Sequence, residues 1–224
     1  MPQRWGIWFA VEGDLRFGSH HDMMRTTGRI AIRARLPLRY SQGFNPHPIL
    51  SLAFPRPVGV ASHDDLLVLT LDTNMPAEDI LARLNENAPR GMRFTRAEPL
   101  AVKNTPRARS ADYQLTLPTE PTEKIPAVSA RLAEIKHQDA WYTERSTPAK
   151  RRGRAAGKTI DLKPLVQKID LRDGELRWTQ VPRGDQWARP REVLALLGLD
   201  PRADLAKTVR TNVKYEYQQD LSRA

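Results

Sequence analysis

The sequence predicts an α+β fold, and three observations carry that prediction. Short runs rich in aromatic and β-branched residues, such as Trp5–Val11 (WGIWFAV) and Leu66–Leu71 (LLVLTL), read as strands. Stretches with helical spacing lie between them and carry start signals: Ser19 with Asp22 three residues on, and Pro76 followed by two acids. Over residues 1–101 the order is β-α-β-β-α-β, the split βαβ pattern of ferredoxin-like folds.

The elements of this first domain follow in turn. After WGIWFAV, Glu12-Gly13-Asp14 makes a turn, and Ser19 opens a helix that runs to about Arg35, where Pro37 stops it. Met23, Thr27, Ile30 and Ala34 share one face of that helix. Arg25, Arg29 and Arg33 line another at i, i+4 and i+8. Three like charges in a row repel, so this stripe is expected to have an acidic partner, inside the protein or outside it. Ile49–Phe54 reads as the second strand and Leu66–Leu71 as the third, with Asp64-Asp65 leading in. The second helix begins at Pro76 with acids in its first turn, as the helix dipole prefers, and Met92–Ala97 is the fourth strand.

Residues 102–112, polar, basic and broken by proline, read as a linker. Residues 113–224 then form a second, smaller, basic α+β domain, for which another ferredoxin-like arrangement is one option; no sequence repeat relates the halves. Its elements are a strand at Tyr113–Leu117, a helix at Pro126–Lys136 and a strand at Ala140–Arg145. A hairpin of Ile160–Leu171 and Leu176–Val181 turns on Arg172-Asp173-Gly174, a type I′ signal. A helix from Pro190 is closed by Gly198, and Ala206–Tyr217 is the last strand.

Composition bounds the chemistry. The 224 residues contain no cysteine, so disulfides, thiolate nucleophiles and cysteine-ligated iron–sulfur clusters are excluded for this chain. No apolar run approaches the roughly 20 residues of a membrane span, and the N-terminus places acids where a signal peptide would need its apolar core to continue. A soluble, cytoplasmic protein with no membrane partner is expected. The net charge is +10 and the isoelectric point about 10.2, which points to a polyanionic partner. Residues 1–100 hold 12 basic and 10 acidic side chains, residues 101–224 hold 24 and 16, so the excess sits mainly in the second half. Its densest cluster is Arg145, Lys150, Arg151, Arg152, Arg154 and Lys158, which no acid interrupts. With Pro148, Gly153 and Gly157 it reads as a loop suited to phosphate contacts.

Two segments stand apart from this pattern. Ser19-His20-His21-Asp22 opens the first helix, and Gly43-Phe44-Asn45-Pro46-His47-Pro48 lies in the loop after it. Prolines on either side of His47 fix the backbone, and Gly43 permits a left-handed turn. One reading makes Ser19, His20, Asp22, Gly43, Phe44, Asn45 and His47 a single ligand or RNA pocket, with the loop folded back along the helix. A second makes His20, Asp22 and His47 a two-histidine, one-carboxylate metal set. A third has Ser19 and Asp22 capping the helix while Asn45 and His47 bond the loop backbone. No cofactor is expected.

The same segments carry a resemblance. LRFGSHHDMMRTTGRIAIRARLPLRYSQGFNPHPILSLAFPRPVGVAS resembles the radical-SAM-linked family of unknown function DUF2344, which pairs a serine-histidine-x-aspartate segment with GFNPHP and a later glycine-valine-x-serine, here Gly59 to Ser62. The likeness is close over residues 5–100, with two departures: His21 replaces a usual leucine, and Ile49 stands where a lysine is common. The resemblance implies a separate radical SAM enzyme as partner and a role in modifying RNA or a translation component. Lacking cysteine, this chain would serve such an enzyme as a non-catalytic accessory or substrate-presenting module that binds RNA. The alternatives are a free-standing RNA-modifying enzyme on a pseudouridine-synthase-like scaffold, with Asp22 beside Arg16 and Arg25 as its carboxylate, and a protein–protein adaptor that binds no nucleic acid. The nucleic-acid contacts expected on the leading reading are Arg25, Arg29, Arg33, Lys150, Arg151, Arg152, Arg154 and Lys158.

Overall fold

A computed structural model describes residues 1–102, 104–118, 120, 123–146 and 157–217. It is an α+β protein with a mostly antiparallel sheet and four α-helices among the described residues, and it divides into two units: Met1–Arg109 with Asn212–Ala224, and Ser110–Thr211.

In the first unit, β1 (Gln3–Val11) is buried on both faces from Trp5 onward. Its odd residues Trp5, Ile7, Phe9 and Val11 join the core under the helices, and Trp8 faces the other side. Strands β3 (Ala61–Leu71) and β4 (Met92–Leu100) flank β1, and the short β2 (Leu50–Leu52) pairs with β3. The resulting order β4-β1-β3-β2 is compatible with the ferredoxin-like pattern. Helix α1 (His20–Arg33) buries Met23, Thr27, Ile30 and Ala31 against this sheet, with Ala34 also buried just beyond it. Helix α2 (Ala77–Glu86) buries Ile80 and Leu84.

Strand β3 starts five residues earlier than the apolar run, at Ala61, and takes in both aspartates. A buried acid is tolerable there because Arg56 meets it: Arg56 Nε lies 3.5 Å from Asp65 Oδ2, with side-chain exposures of 2% and 6%. The same guanidinium donates to the carbonyls of Arg16 at 2.8 Å and Leu15 at 3.3 Å. It therefore ties β3 to the 3₁₀ turn Gly13–Phe17 that leads into α1.

In the second unit the order is β5-β9-β8, formed by β5 (Arg107–Thr116), β9 (Glu175–Gln180) and β8 (Val166–Arg172). Strand β5 begins at Arg107, so the last residues assigned from sequence to a linker are extended and paired instead. The single strand expected over 160–171 is two. Tyr142–Ser146 (β6) pairs with Gly157–Asp161 (β7) as a separate ribbon, and a 3₁₀ turn at Lys163–Leu165 precedes β8. Pro164 explains the break, since it offers no N–H to a ladder. The β8–β9 turn has Asp173 at φ 50° and Gly174 at φ 75°, as a type I′ hairpin requires. Helix α3 (Lys124–Lys136) buries Val128, Leu132 and Ile135, and α4 (Pro190–Leu196) lies further along the chain. The final strand, β10 (Val209–Glu216), crosses the division, and Val213 N–H in its first-unit part donates to Asp64 at 2.8 Å.

Candidate functional site

Ser19 and Asp22 are engaged with each other. Asp22 N–H donates to Ser19 Oγ at 3.2 Å, while Ser19 N–H and Oγ–H donate to Asp22 Oδ2 at 3.1 and 2.6 Å, which is a complete capping box. These bonds, the side-chain one first, hold the Asp22 carboxyl below the usual carboxylate range, with smaller help from Arg25 and His21. The sign follows: this contribution to stability is present above the ordinary carboxylate pKa and is lost as pH falls through the depressed folded value. Ser19→Ala is expected to cost about 1 kcal/mol in a urea titration, as loss of a serine cap usually does. It should also return the Asp22 carboxyl toward its ordinary range in an NMR titration. An unchanged Asp22 titration would show that the cap is not what holds it.

The GFNPHP segment is built differently. Leu38 bridges to Leu71, Arg39 N–H donates to Thr70 O, and Thr70 N–H donates to Ile49 O. Residues 37–39 and 49–52 thus run along β3 as one interrupted edge, and residues 40–48 are thrust out between them. The base is closed by Ile49 N–H on Arg39 O at 2.8 Å and by the Tyr40–Pro48 bridge. Across the loop, His47 N–H donates to Ser41 Oγ at 3.1 Å and Ser41 N–H to His47 O at 2.8 Å, while His47 Nδ1 lies 3.0 Å from Ser41 Oγ. Gly43 takes φ 132°, and Phe44 at the tip is fully exposed. His47 is thus a clip that shapes the protrusion, and Phe44 is what it displays.

The two motifs expected to share one pocket are anchored at different points of the sheet. Strand β1 leads toward Ser19 from Val11, which faces Ser62, whereas the loop springs from β3 at Thr70. Eight residues of strand separate those points, about 26 Å at 3.3 Å each. No hydrogen bond or ion pair among the described residues joins Ser19, His20 or Asp22 to Asn45 or His47. The base of the loop lies level with Thr70 of β3, toward the end of the helix away from Ser19. No three His, Asp or Glu side chains among the described residues come together to hold a metal ion.

The basic residues separate into three groups. Arg25, Arg29 and Arg33 are exposed along α1, and Arg33 also donates to Asn87 O at 3.2 Å. None of the three forms an ion pair within 4 Å of a carboxylate among the described residues, although Arg25 is near enough to Asp22 to help hold its carboxyl ionised. Lys150, Arg151, Arg152 and Arg154 lie outside the described residues; Lys158 is exposed at the start of β7. Arg145 belongs to neither group. It turns inward, its Nε and Nη2 each 2.6 Å from an oxygen of Glu192, and is unavailable to a polyanion.

One feature the sequence did not disclose is a cleft of about 500 Å³ at the foot of the GFNPHP loop. Register puts Arg4 opposite Thr70 and Ser51 opposite Val68, so these four share the sheet face away from the helices. Arg39, Ile49 and Thr105 complete the wall, with Ser51 Oγ and Thr105 Oγ1 3.0 Å apart. A larger open cleft beside Glu12, Asp14 and Arg90 carries two acids to one base and offers an anion nothing.

These features define an α+β protein whose first sheet carries a clipped, protruding loop at its edge and an arginine row on its first helix. Residues 4–190 match the family described as an uncharacterized protein conserved in bacteria, DUF2344, and the chain belongs to that family. No curated protein matches it. No helix among the described residues is long and apolar enough to cross a membrane.

Proposed function

We propose that this chain is an accessory module that binds RNA, free or in a ribonucleoprotein, and presents it to a separate radical SAM enzyme. The observation that carries the RNA reading is the row of Arg25, Arg29 and Arg33, exposed on one helix and in no ion pair with a carboxylate among the described residues, in a chain of net charge +10. A fully exposed aromatic on a clipped loop, Phe44, supports it as a platform on which a base can stack. The radical SAM partner rests on the GFNPHP resemblance, and the absence of cysteine assigns the cluster chemistry to that partner rather than to this chain. Asp22 is engaged with Ser19 in a helix cap, which favours the accessory reading over a free-standing enzyme built on that carboxylate.

The test is binding of a single-stranded RNA across a salt series. Three arginine contacts at a single-strand slope of about −0.7 each should account for about 20-fold of the loss of affinity between 50 and 200 mM salt, with the Lys150–Arg154 cluster adding to it. Changing Arg25, Arg29 and Arg33 to Gln together should lower the slope by about 2, and changing Lys150, Arg151, Arg152 and Arg154 to Ala should lower it further. An affinity flat across that range, or a chain that captures the radical SAM enzyme but no RNA, would leave only the protein–protein adaptor.

A further inference from the structure

We infer that the cleft at the foot of the GFNPHP loop is a binding site for a phosphate monoester of nucleotide size, gripped by Arg4 and Arg39. The inference does not rest on the RNA reading, which is carried by a different surface. Its first support is an unmet charge. Arg4 is partly buried on the sheet, donates only a long 3.4 Å bond to Val102 O, and has no carboxylate partner among the described residues. Partial burial pushes its guanidinium below the ordinary arginine range. Arg39 is only loosely paired, 3.8 Å from Asp72 with both side chains about half exposed, a contact worth little and easily exchanged.

The lining supports the same class of ligand. It contains no acid. The hydroxyls of Ser51, Thr70 and Thr105 add donors beside the two guanidinium forks, a set that suits the several oxygens of a dianionic phosphate. Val68 and Ile49 supply an apolar wall on which an organic group can rest. The volume of about 500 Å³ is that of a small-molecule site and exceeds what a bare ion fills.

The shared chemistry is a phosphate monoester, whether on a free nucleotide or on the end of an RNA chain. Calorimetric titration of the whole protein with inorganic phosphate, at constant ionic strength set by chloride, is expected to show saturable binding in the millimolar range or tighter. Adenosine 5′-monophosphate should bind more tightly than phosphate, and adenosine should not bind. Arg4→Gln and Arg39→Gln should each weaken phosphate at least about tenfold, the usual loss when a charge-assisted hydrogen bond goes. Arg172→Gln, in the second unit, should not weaken it. The Arg39 side chain is about half exposed and belongs to neither core cluster, so its variant reads the site even if Arg4→Gln fails to fold. A 5′-phosphorylated trinucleotide that outcompetes the mononucleotide identifies an RNA end as the source, and the reverse order identifies a free nucleotide. No phosphate binding, or binding that survives Arg39→Gln unchanged, overturns the site.

Discussion

Asp65→Ala is expected to destabilise the first unit by about 3–5 kcal/mol, the range seen when one partner of a buried ion pair is removed. Arg56 and Asp65 are almost wholly shielded from water, so the alanine leaves a cation that solvent cannot reach. Arg56→Met should cost as much for a second reason. The guanidinium also satisfies the carbonyls of Leu15 and Arg16, and losing it unmakes the joint between the 3₁₀ turn and β3. The double variant Arg56→Met/Asp65→Ala should recover part of the loss, because no lone charge stays buried, but not all of it, because the carbonyls remain unpaired. Urea unfolding followed by tryptophan fluorescence gives all four corners of the cycle. Single variants that each cost under about 1 kcal/mol would mean water reaches the pair.

Glu192→Ala should cost the second unit about 3–5 kcal/mol on the same physics. Glu192 holds Arg145 with two bonds of 2.6 Å and accepts the Arg189 N–H at 2.8 Å, joining β6 to the start of α4. Glu192 is 4% exposed and Arg145 13%, so neither charge is at ease alone. Glu192→Gln keeps an acceptor for Arg189 N–H and should fall between wild type and alanine. Thermal unfolding ranks the three. Equal melting temperatures for glutamine and alanine would show that the charge, and not the cap, carries the whole effect.

Much of the first unit was legible because its signals are local. The inward face of α1, the capping box at Ser19 and Asp22, and the hairpin at Asp173-Gly174 each depend on residues within one or two turns of chain. The misreadings share a cause as well. Asp64 and Asp65 looked like a lead-in to a strand that began at Leu66, because nothing nearby in sequence announces that Arg56 neutralises one of them. Arg145 looked like part of a basic cluster, because its partner Glu192 lies 47 residues away.

The sequence by itself determined the α+β class, the order of elements in the first unit, the absence of cysteine chemistry and the excess of positive charge. These follow from periodicity, capping and composition, which need no partner distant in the chain. Only the tertiary structure decided which of the marked residues meet. It engaged Ser19 and Asp22 in a cap, clipped His47 to Ser41, and separated the two motifs along β3. It also gathered Arg4, Arg39, Ser51 and Thr105 around one cleft. That gathering depends on strand register, where a shift of a single residue would turn Arg4 and Ser51 to the opposite face.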